Sequence, residues 1–354
     1  MNQQKSEKIS LSIIIPFYNT GENLYKRCLD SILDNDINNL EVLVIDDGSS
    51  DEGKAALNYR HDDHRLRIIY NQHSGPSAAR NLGIREANGQ QIMFVDSDDF
   101  LTSETFYKIA SDINSYSNDV DIFSGGKFQN GKIYPNDSVL EENHNYALFS
   151  DDKNNVMQSA LSIGNYPEEH IQYFSLGAPV CKLFSRDFLN KNHLKFNENI
   201  RFGEDVVFML NVYLYADSIY YHDLFLYNYV MNSESATKKF RPGLSKDMDV
   251  FFDEIETFLK NNDLYEVLKN AFYARAEYET GHCFRSEFYH YKNTDRQLDK
   301  KFKEFCAKEP YASALKYKYL PKKRKSLKIL FFLIDHNLGY FYKHLSYIYF
   351  KFFM

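Results

Sequence analysis

Between Leu11 and Ser124 short, mostly apolar runs alternate with stretches of helical spacing, and that alternation leaves few folds open. Leu11–Pro16 (LSIIIP) is bounded by polar residues and suits a strand buried on both faces, and Leu40–Ile45 (LEVLVI), Leu66–Tyr70, Gln91–Val95 and Val120–Ser124 read as four further strands. Between them, Leu24, Cys28 and Ile32 with the pair Leu29/Leu33 predict a helix from about Glu22. Ser49 and Glu52 are spaced for a capping box that opens a second helix. Pro76 suits the first turn of a third, with Gly89 as its stop. Phe106, Ile109, Ala110 and Ile113 mark a fourth. Strand–helix alternation of this kind predicts an α/β fold, a mostly parallel sheet flanked by helices on both faces.

In such sheets ligands bind beyond the carboxyl ends of the strands. The polar clusters Phe17-Tyr18-Asn19, Asp46-Asp47-Gly48 and Asp96-Ser97-Asp98 each follow a predicted strand, so they predict one shared site. Asp96 and Asp98 are hard oxygen ligands, and Mg²⁺ or Mn²⁺ binds through one or two carboxylates plus substrate phosphates. The plain alternative is an acidic turn capping a helix from Thr102, with Asp99 as the cap. Asp47 can accept from a nucleobase N–H, or serve a helix-capping turn. Gly75–Asn81 (GPSAARN) opens a helix, where backbone N–H groups favour anions, and Arg80 lies one turn in. Its plain alternative is a surface arginine.

Taken in order, PFYN at Pro16–Asn19, DDGSSD from Asp46, GPSAARN from Gly75 and VDSDD from Val95 resemble the family-2 glycosyltransferases of GT-A fold. The likeness resumes more loosely at Gly177–Leu189, at Phe202-Gly203-Glu204-Asp205 and near Tyr227–Thr237. The resemblance implies that Pro16 and Tyr18 line a nucleoside pocket, Asp47 holds the base and Arg80 lies near the diphosphate. It implies further that Asp96 contacts ribose or a metal-bound water, that Asp98 binds Mn²⁺ or Mg²⁺ directly, and that Asp205 is the catalytic base. A base there would deprotonate an acceptor hydroxyl as it attacks the anomeric carbon opposite the nucleotide, inverting the configuration. Without the resemblance, Glu204-Asp205 reads as an acidic first helical turn. The implied activity is transfer of a hexose or N-acetylhexosamine from a nucleotide diphosphate-sugar, UDP-linked by expectation, to a glycan or lipid-linked glycan in bacterial surface polysaccharide synthesis.

Past Val120–Ser124 the pattern weakens from Lys127 to Asn199, and then Val180–Phe184, Glu204–Tyr215, Ser218–Tyr221 and Leu224–Val230 read as strand, helix, strand and strand. From Leu244 the chain reads as helical, to about Tyr291. The expected division is a transferase domain over residues 1–240, with a nucleotide-sugar half (1–125) and an acceptor half (126–240), followed by a helical region over 241–354. Lys182 lines the acceptor side or snorkels at the surface. His222 approaches the metal, or is an ordinary core or surface histidine. Gly126–Lys132 fits G-x-x-x-x-G-K, yet Ile133 stands where Ser or Thr should hold Mg²⁺ and a strand follows, so no P-loop is expected. His61-Asp62-Asp63-His64 has no apolar frame and reads as a solvated loop.

Charge separates the chain's end from its body. The net charge is −7, but Leu315–Met354 holds nine Lys/Arg against Asp335 alone, leaving the body strongly acidic. Nucleic-acid binding is not expected. The basic run from Lys316 to Lys328, followed by Tyr340–Tyr342 and Tyr347–Phe353, suits the surface of an anionic membrane; the alternative is a terminal helix packing its aromatics on the domain. The polar start MNQQKSEKIS, four scattered cysteines and the lack of an apolar run near 20 residues predict a reducing, cytoplasmic location, with peripheral contact at the inner membrane face. Assembly into a homo-oligomer is left open. Two other activities compete: a sugar-phosphate nucleotidyltransferase, which lacks its Gly- and Arg-rich loop here, and a non-catalytic glycan-binding scaffold, against which the carboxylates at 47, 96, 98 and 205 count.

Overall fold

The computed structural model describes residues 9–135, 146–148, 153–162, 176–231, 240–290 and 292–317, with His336 and Lys343. They divide into two compact units, one bounded by Met1–Lys153, Tyr173–Asn199 and Glu204–Met231, the other by Asn154–Gln172, Ile200–Gly203 and Asn232–Met354. The units interleave in sequence rather than meeting at residue 240: Ile200–Gly203 groups with the helical unit although it lies deep in the expected transferase domain.

The first unit is an α/β sheet. Its strands are β1 (Leu11–Phe17), β2 (Leu40–Asp46), β3 (Leu66–Tyr70), β4 (Gln91–Phe94), β5 (Phe100–Leu101), β6 (Val120–Gln129), β7 (Lys132–Pro135), β8 (Tyr146–Leu148), β9 (Lys182–Ser185) and β10 (Ile219–Val230). They run in the order β3-β2-β1-β4-β9-β6-β10-β5, with β7 beside β6 and β8 beside β10. The four strands read first from the sequence are parallel neighbours. Strand β9 then enters antiparallel between β4 and β6, which makes the sheet mixed beyond that point. The two strands expected near 218–230 form one strand, β10, parallel to β6 with irregularities around Phe225. Gln129 to Lys132 is a tight hairpin whose Asn130 and Gly131 have φ of 51° and 75°, so the G-x-x-x-x-G-K stretch is strand–turn–strand, as its residues predicted.

Helices α1 (Glu22–Leu33), α2 (Asp51–Ala55), α3 (Pro76–Glu86) and α4 (Ser103–Ser111) follow the strands as predicted, and α6 (Arg186–Lys191) and α7 (Glu204–Tyr215) complete the unit. Helix α1 buries Tyr25, Cys28, Leu29, Ile32 and Leu33 against Ile13, Ile15, Val42 and Val44. Each such aliphatic side chain contributes about 1.5–3 kcal/mol by leaving water. The caps differ in detail from the sequence reading. Ser50, not Ser49, caps α2 through its side chain, because Ser49 Oγ is taken by the Asn19 backbone N–H. Helix α3 ends before Gly89, whose N–H donates to Ser12 Oγ at 2.8 Å. A Cβ there would lie 2.5 Å from the Ser12 nitrogen, so Gly89 serves the close passage over β1 rather than a helix stop.

The second unit is helical: α5 (Lys153–Leu161), α8 (Leu244–Asn261), α9 (Tyr265–Cys283) with a π-turn over Phe284–Phe288, α10 (Leu298–Cys306) and α11 (Tyr311–Tyr317). Its core is aromatic: Phe251, Phe252, Phe272 and Tyr311 meet edge to face, and Phe284, Phe288 and Phe302 pack beside them. A buried polar line crosses that core, in which Glu279 accepts from Arg275 Nε at 2.7 Å and meets His282 at 3.0 Å. Beyond Tyr317 the basic and aromatic tail lies outside the described residues, His336 and Lys343 excepted. Among the described residues no helix is long and apolar enough to cross a membrane.

Candidate active site

Parallel pairing aligns the carboxyl ends of β1, β2 and β4, with Phe17 opposite Asp46 and Ile14 opposite Phe94. Pro16 is half-buried at the point where β1 stops pairing with β4. The Ile14 carbonyl accepts from Val95 N, and strand alternation turns Pro16 to the same side, so its missing N–H falls just past the ladder. Tyr18 follows, half-exposed, with its ring stacked on His73 at 4.4 Å between centroids. Asp47 is buried, and its carboxylate shapes the loop before α3: Oδ1 accepts from Ser74 N at 2.9 Å and Oδ2 from Gly75 N at 2.8 Å. Asn71 Nδ2 reaches the same Oδ1 at 3.3 Å. Asp47 thus fixes the loop that leads to Arg80, beside the exposed Tyr18 and His73 faces.

The four residues after Val95 divide their work. Asp96 Oδ1 accepts from Arg80 Nη2 at 3.1 Å, and Ser97 Oγ lies 2.6 Å from Thr20 Oγ1. Asp99 does not cap the following helix. It is buried, with Tyr227 Oη donating to it at 2.7 Å and the Val230 backbone N–H at 2.7 Å, so it ties this strand end to β10. Asp98 is half-buried, and burial and the nearby Asp96 charge raise its pKa. Among the described residues no side chain donates a hydrogen bond to its carboxylate. Arg27 of α1 lies within electrostatic reach of Asp98 and stacks on Phe100 and Phe128 at 4.7 and 5.1 Å.

Arg80 is not a surface arginine. It is buried, its guanidinium lies over the Phe196 ring at 5.3 Å, and it links two carboxylates. Nη1 donates to Asp205 Oδ1 at 3.0 Å while Nη2 holds Asp96. Glu204 adds a third carboxylate 3.7 Å from Nη1. Helix α7 starts at Glu204 because Gly203, at φ 74°, breaks the chain direction just before it. Asp205 is raised to about 7: burial is the largest cause, Glu204 and Asp96 add like charge, and Arg80 and Lys182 oppose. A carboxyl poised there can take a proton near neutral pH.

Lys182 departs from both readings of its sequence. It is fully buried on β9, neither snorkelling nor exposed toward an acceptor, and Nζ donates to Ala178 O at 2.8 Å. His222 is also placed away from the carboxylates after Val95. Its Nε2 lies 2.8 Å from the buried Asp121, and its ring stacks on Phe123, so it is a packed histidine of β10. His61–His64 is a loop, with Asp63 paired to Arg65. Sequence reasoning passed over His73, Arg27 and Phe196. His73 sits at the end of a predicted strand and was within reach of a spacing argument; the other two are recognised only from stacking across elements.

The oxygen donors fit a small divalent cation. Among the described residues no group of three or more potential ligands converges, and Mg²⁺ or Mn²⁺ needs only one or two carboxylates where phosphates complete its shell. Asp98, to which no side chain among the described residues donates a hydrogen bond, and the second oxygen of Asp96 would be the carboxylates available to such an ion.

The chain is similar in sequence and in fold to known proteins. Residues 12–160 match the model of glycosyl transferase family 2. The chain is similar to EpsJ, an uncharacterized glycosyltransferase of Bacillus subtilis, at 29% identity over 67% of this chain and 66% of that protein. A poly(ribitol-phosphate) beta-glucosyltransferase of Bacillus spizizenii is 28% identical over 74% of this chain, which spans only 38% of that longer protein. In fold it is similar to the crystal structure of S. aureus TarS 1-349 in complex with UDP-GlcNAc, with a TM-score of 0.56 at 21% identity, covering 98% of this chain and 93% of that one. Motif order, the match over residues 12–160 and these likenesses thus make the chain similar to family-2 glycosyltransferases, and its fold is similar to that of TarS.

Proposed function

We propose that this chain transfers a hexose or N-acetylhexosamine, with inversion, from a UDP-linked donor to a hydroxyl of a glycan or lipid-linked glycan. The observation that carries the proposal is the Asp96–Arg80–Asp205 bridge, which fixes a donor-side carboxylate and a base of raised pKa in one rigid frame. Asp205 takes the acceptor hydroxyl proton. The freed oxygen bonds to the anomeric carbon as the bond from that carbon to the diphosphate oxygen breaks, and nucleoside diphosphate leaves with the bonding pair. Pro16, Tyr18 and His73 offer surface to a nucleoside. Asp98 and Asp96 would hold Mn²⁺ or Mg²⁺, which supplies charge neutralisation at the leaving diphosphate. The names of relatives support this reading, since one acts on poly(ribitol-phosphate) and the TarS crystals hold UDP or UDP-GlcNAc.

We propose further that the basic, aromatic tail brings the enzyme to the inner face of an anionic membrane, where a lipid-linked acceptor resides. The stereochemical claim has a direct test: product formed from an α-linked UDP-sugar is examined by proton NMR. A β-linked product is expected, and an α-linked one would contradict single displacement.

A further inference from the structure

Two consecutive residues of α3 grip one distant residue in different ways. Asn81 pairs with the backbone of Phe196 much as one strand pairs with another. Its Nδ2 donates to Phe196 O at 2.9 Å and its Oδ1 accepts from Phe196 N at 2.8 Å, across 115 residues of sequence. The same nitrogen also donates to Glu198 Oε1 at 2.9 Å. Asn81 and Phe196 are both buried, so the amide has little water to exchange these bonds for. Arg80, one residue earlier, meets the side chain instead: its guanidinium lies over the Phe196 ring at 5.3 Å. The ring is itself held, stacked on Phe208 at 4.0 Å and edge to face with Phe94 at 5.6 Å.

The carboxylates alone leave the guanidinium one freedom. Asp205 and Asp96 hold Nη1 and Nη2, and two points define an axis about which the plane can turn. A further hydrogen bond at Nε would stop that turning, but Nε is buried and has no partner among the described residues. The Phe196 ring supplies the missing contact, and a ring attracts a cation in its own right. An aliphatic side chain would fill the space without that attraction. Asn81 sets where the ring stands, since its amide fixes the Phe196 backbone from the helix that carries Arg80.

We propose that Phe196 and Asn81 are positioning residues for the proposed transfer reaction: Asn81 registers the Phe196 backbone against α3, and the ring keeps the Arg80 guanidinium from turning, so that Asp96 and Asp205 hold their spacing. Both act through Arg80. This deepens the proposed function and rests on Asp205 as its base.

The test is a double-mutant cycle on kcat. Phe196→Leu removes the ring and Asn81→Ala the amide, each made alone and in the Arg80→Ala background. Alone, each should lower kcat about tenfold, less than the loss from misplacing a catalytic group outright, with the donor KM unchanged. On top of Arg80→Ala neither should cost anything more, because the group they position is gone. Losses that multiply with that of Arg80→Ala would mean that the two residues serve the fold at large, and would overturn the proposal. The mobility of the Arg80 Nε–H bond is followed in parallel by NMR relaxation in protein labelled at arginine, with Arg80→Lys identifying the signal. Its order parameter should fall in Phe196→Leu and in Asn81→Ala; mobility unchanged in either variant equally overturns the proposal. If Phe196→Leu does not fold, Phe196→Met is read the same way, and failure of both to fold reduces the ring to packing and overturns it as well. Should the parent show no transfer from any donor, the function fails on its own account, while the guanidinium signal still decides whether Phe196 and Asn81 hold Arg80.

Discussion

Asp205 accepts a hydrogen bond from Arg80 at 3.0 Å across 125 residues of sequence. The same guanidinium holds Asp96 at 3.1 Å, so the proposed base and the donor-side carboxylate cannot move independently. The terminal nitrogens of Arg80, expected near the diphosphate, are engaged by protein carboxylates, and we propose that it braces the site.

Arg80→Ala should therefore affect catalysis more than donor binding. Misplacing a catalytic group by an ångström can cost on the order of 100-fold. We expect kcat to fall by about that factor, with KM for the donor changing much less; steady-state kinetics on the purified variant decides it. A variant that lost only donor affinity would return Arg80 to the diphosphate.

The pH profile should carry the signature of Asp205. The base works only as carboxylate, and its pKa is raised to about 7, chiefly by burial. kcat/KM should fall tenfold per pH unit below that point and level above it, and Asp205→Asn should show no such limb in its residual rate. A profile flat from pH 5 to 8 would contradict the assignment.

Asp98 and Asp99 should separate cleanly despite being neighbours. Asp98→Ala should abolish the gain in UDP affinity that Mn²⁺ brings, measured by titration calorimetry, and leave the melting temperature nearly unchanged. Asp99→Ala strands the Tyr227 hydroxyl and the Val230 N–H in a buried place, at about 1–3 kcal/mol in denaturant unfolding.

The tail gives a prediction from charge alone. Removing residues after Leu320 should release the protein from liposomes of anionic lipid, and raising salt should do the same to the full chain. Sedimentation unchanged by truncation would count against membrane contact.

Much of the fold was legible because its signals are local. Runs such as LEVLVI and the Pro76 helix start need no knowledge of the rest of the chain. The motifs at Asp47, Asp96 and Asp205 were likewise legible as candidates, since each stands at an element end. What escaped was pairing between distant side chains. Nothing near Asp99 announces Tyr227, nothing near His222 announces Asp121, and a lysine followed by Leu183 and Phe184 gives no sign that its ammonium is buried. Those choices follow from how β9 and β10 enter the sheet, and strand order beyond a parallel start is not written in periodicity.

The central claim is tested most directly by incubating the protein with Mn²⁺ and a panel of nucleotide-sugars, following nucleoside diphosphate release in the parent, Asp98→Ala and Asp205→Asn. The account predicts release by the parent from at least one UDP-sugar and a fall of on the order of 100-fold or more in both variants. No nucleoside diphosphate from any donor, together with Asp98→Ala binding UDP and Mn²⁺ as well as the parent does, would contradict it.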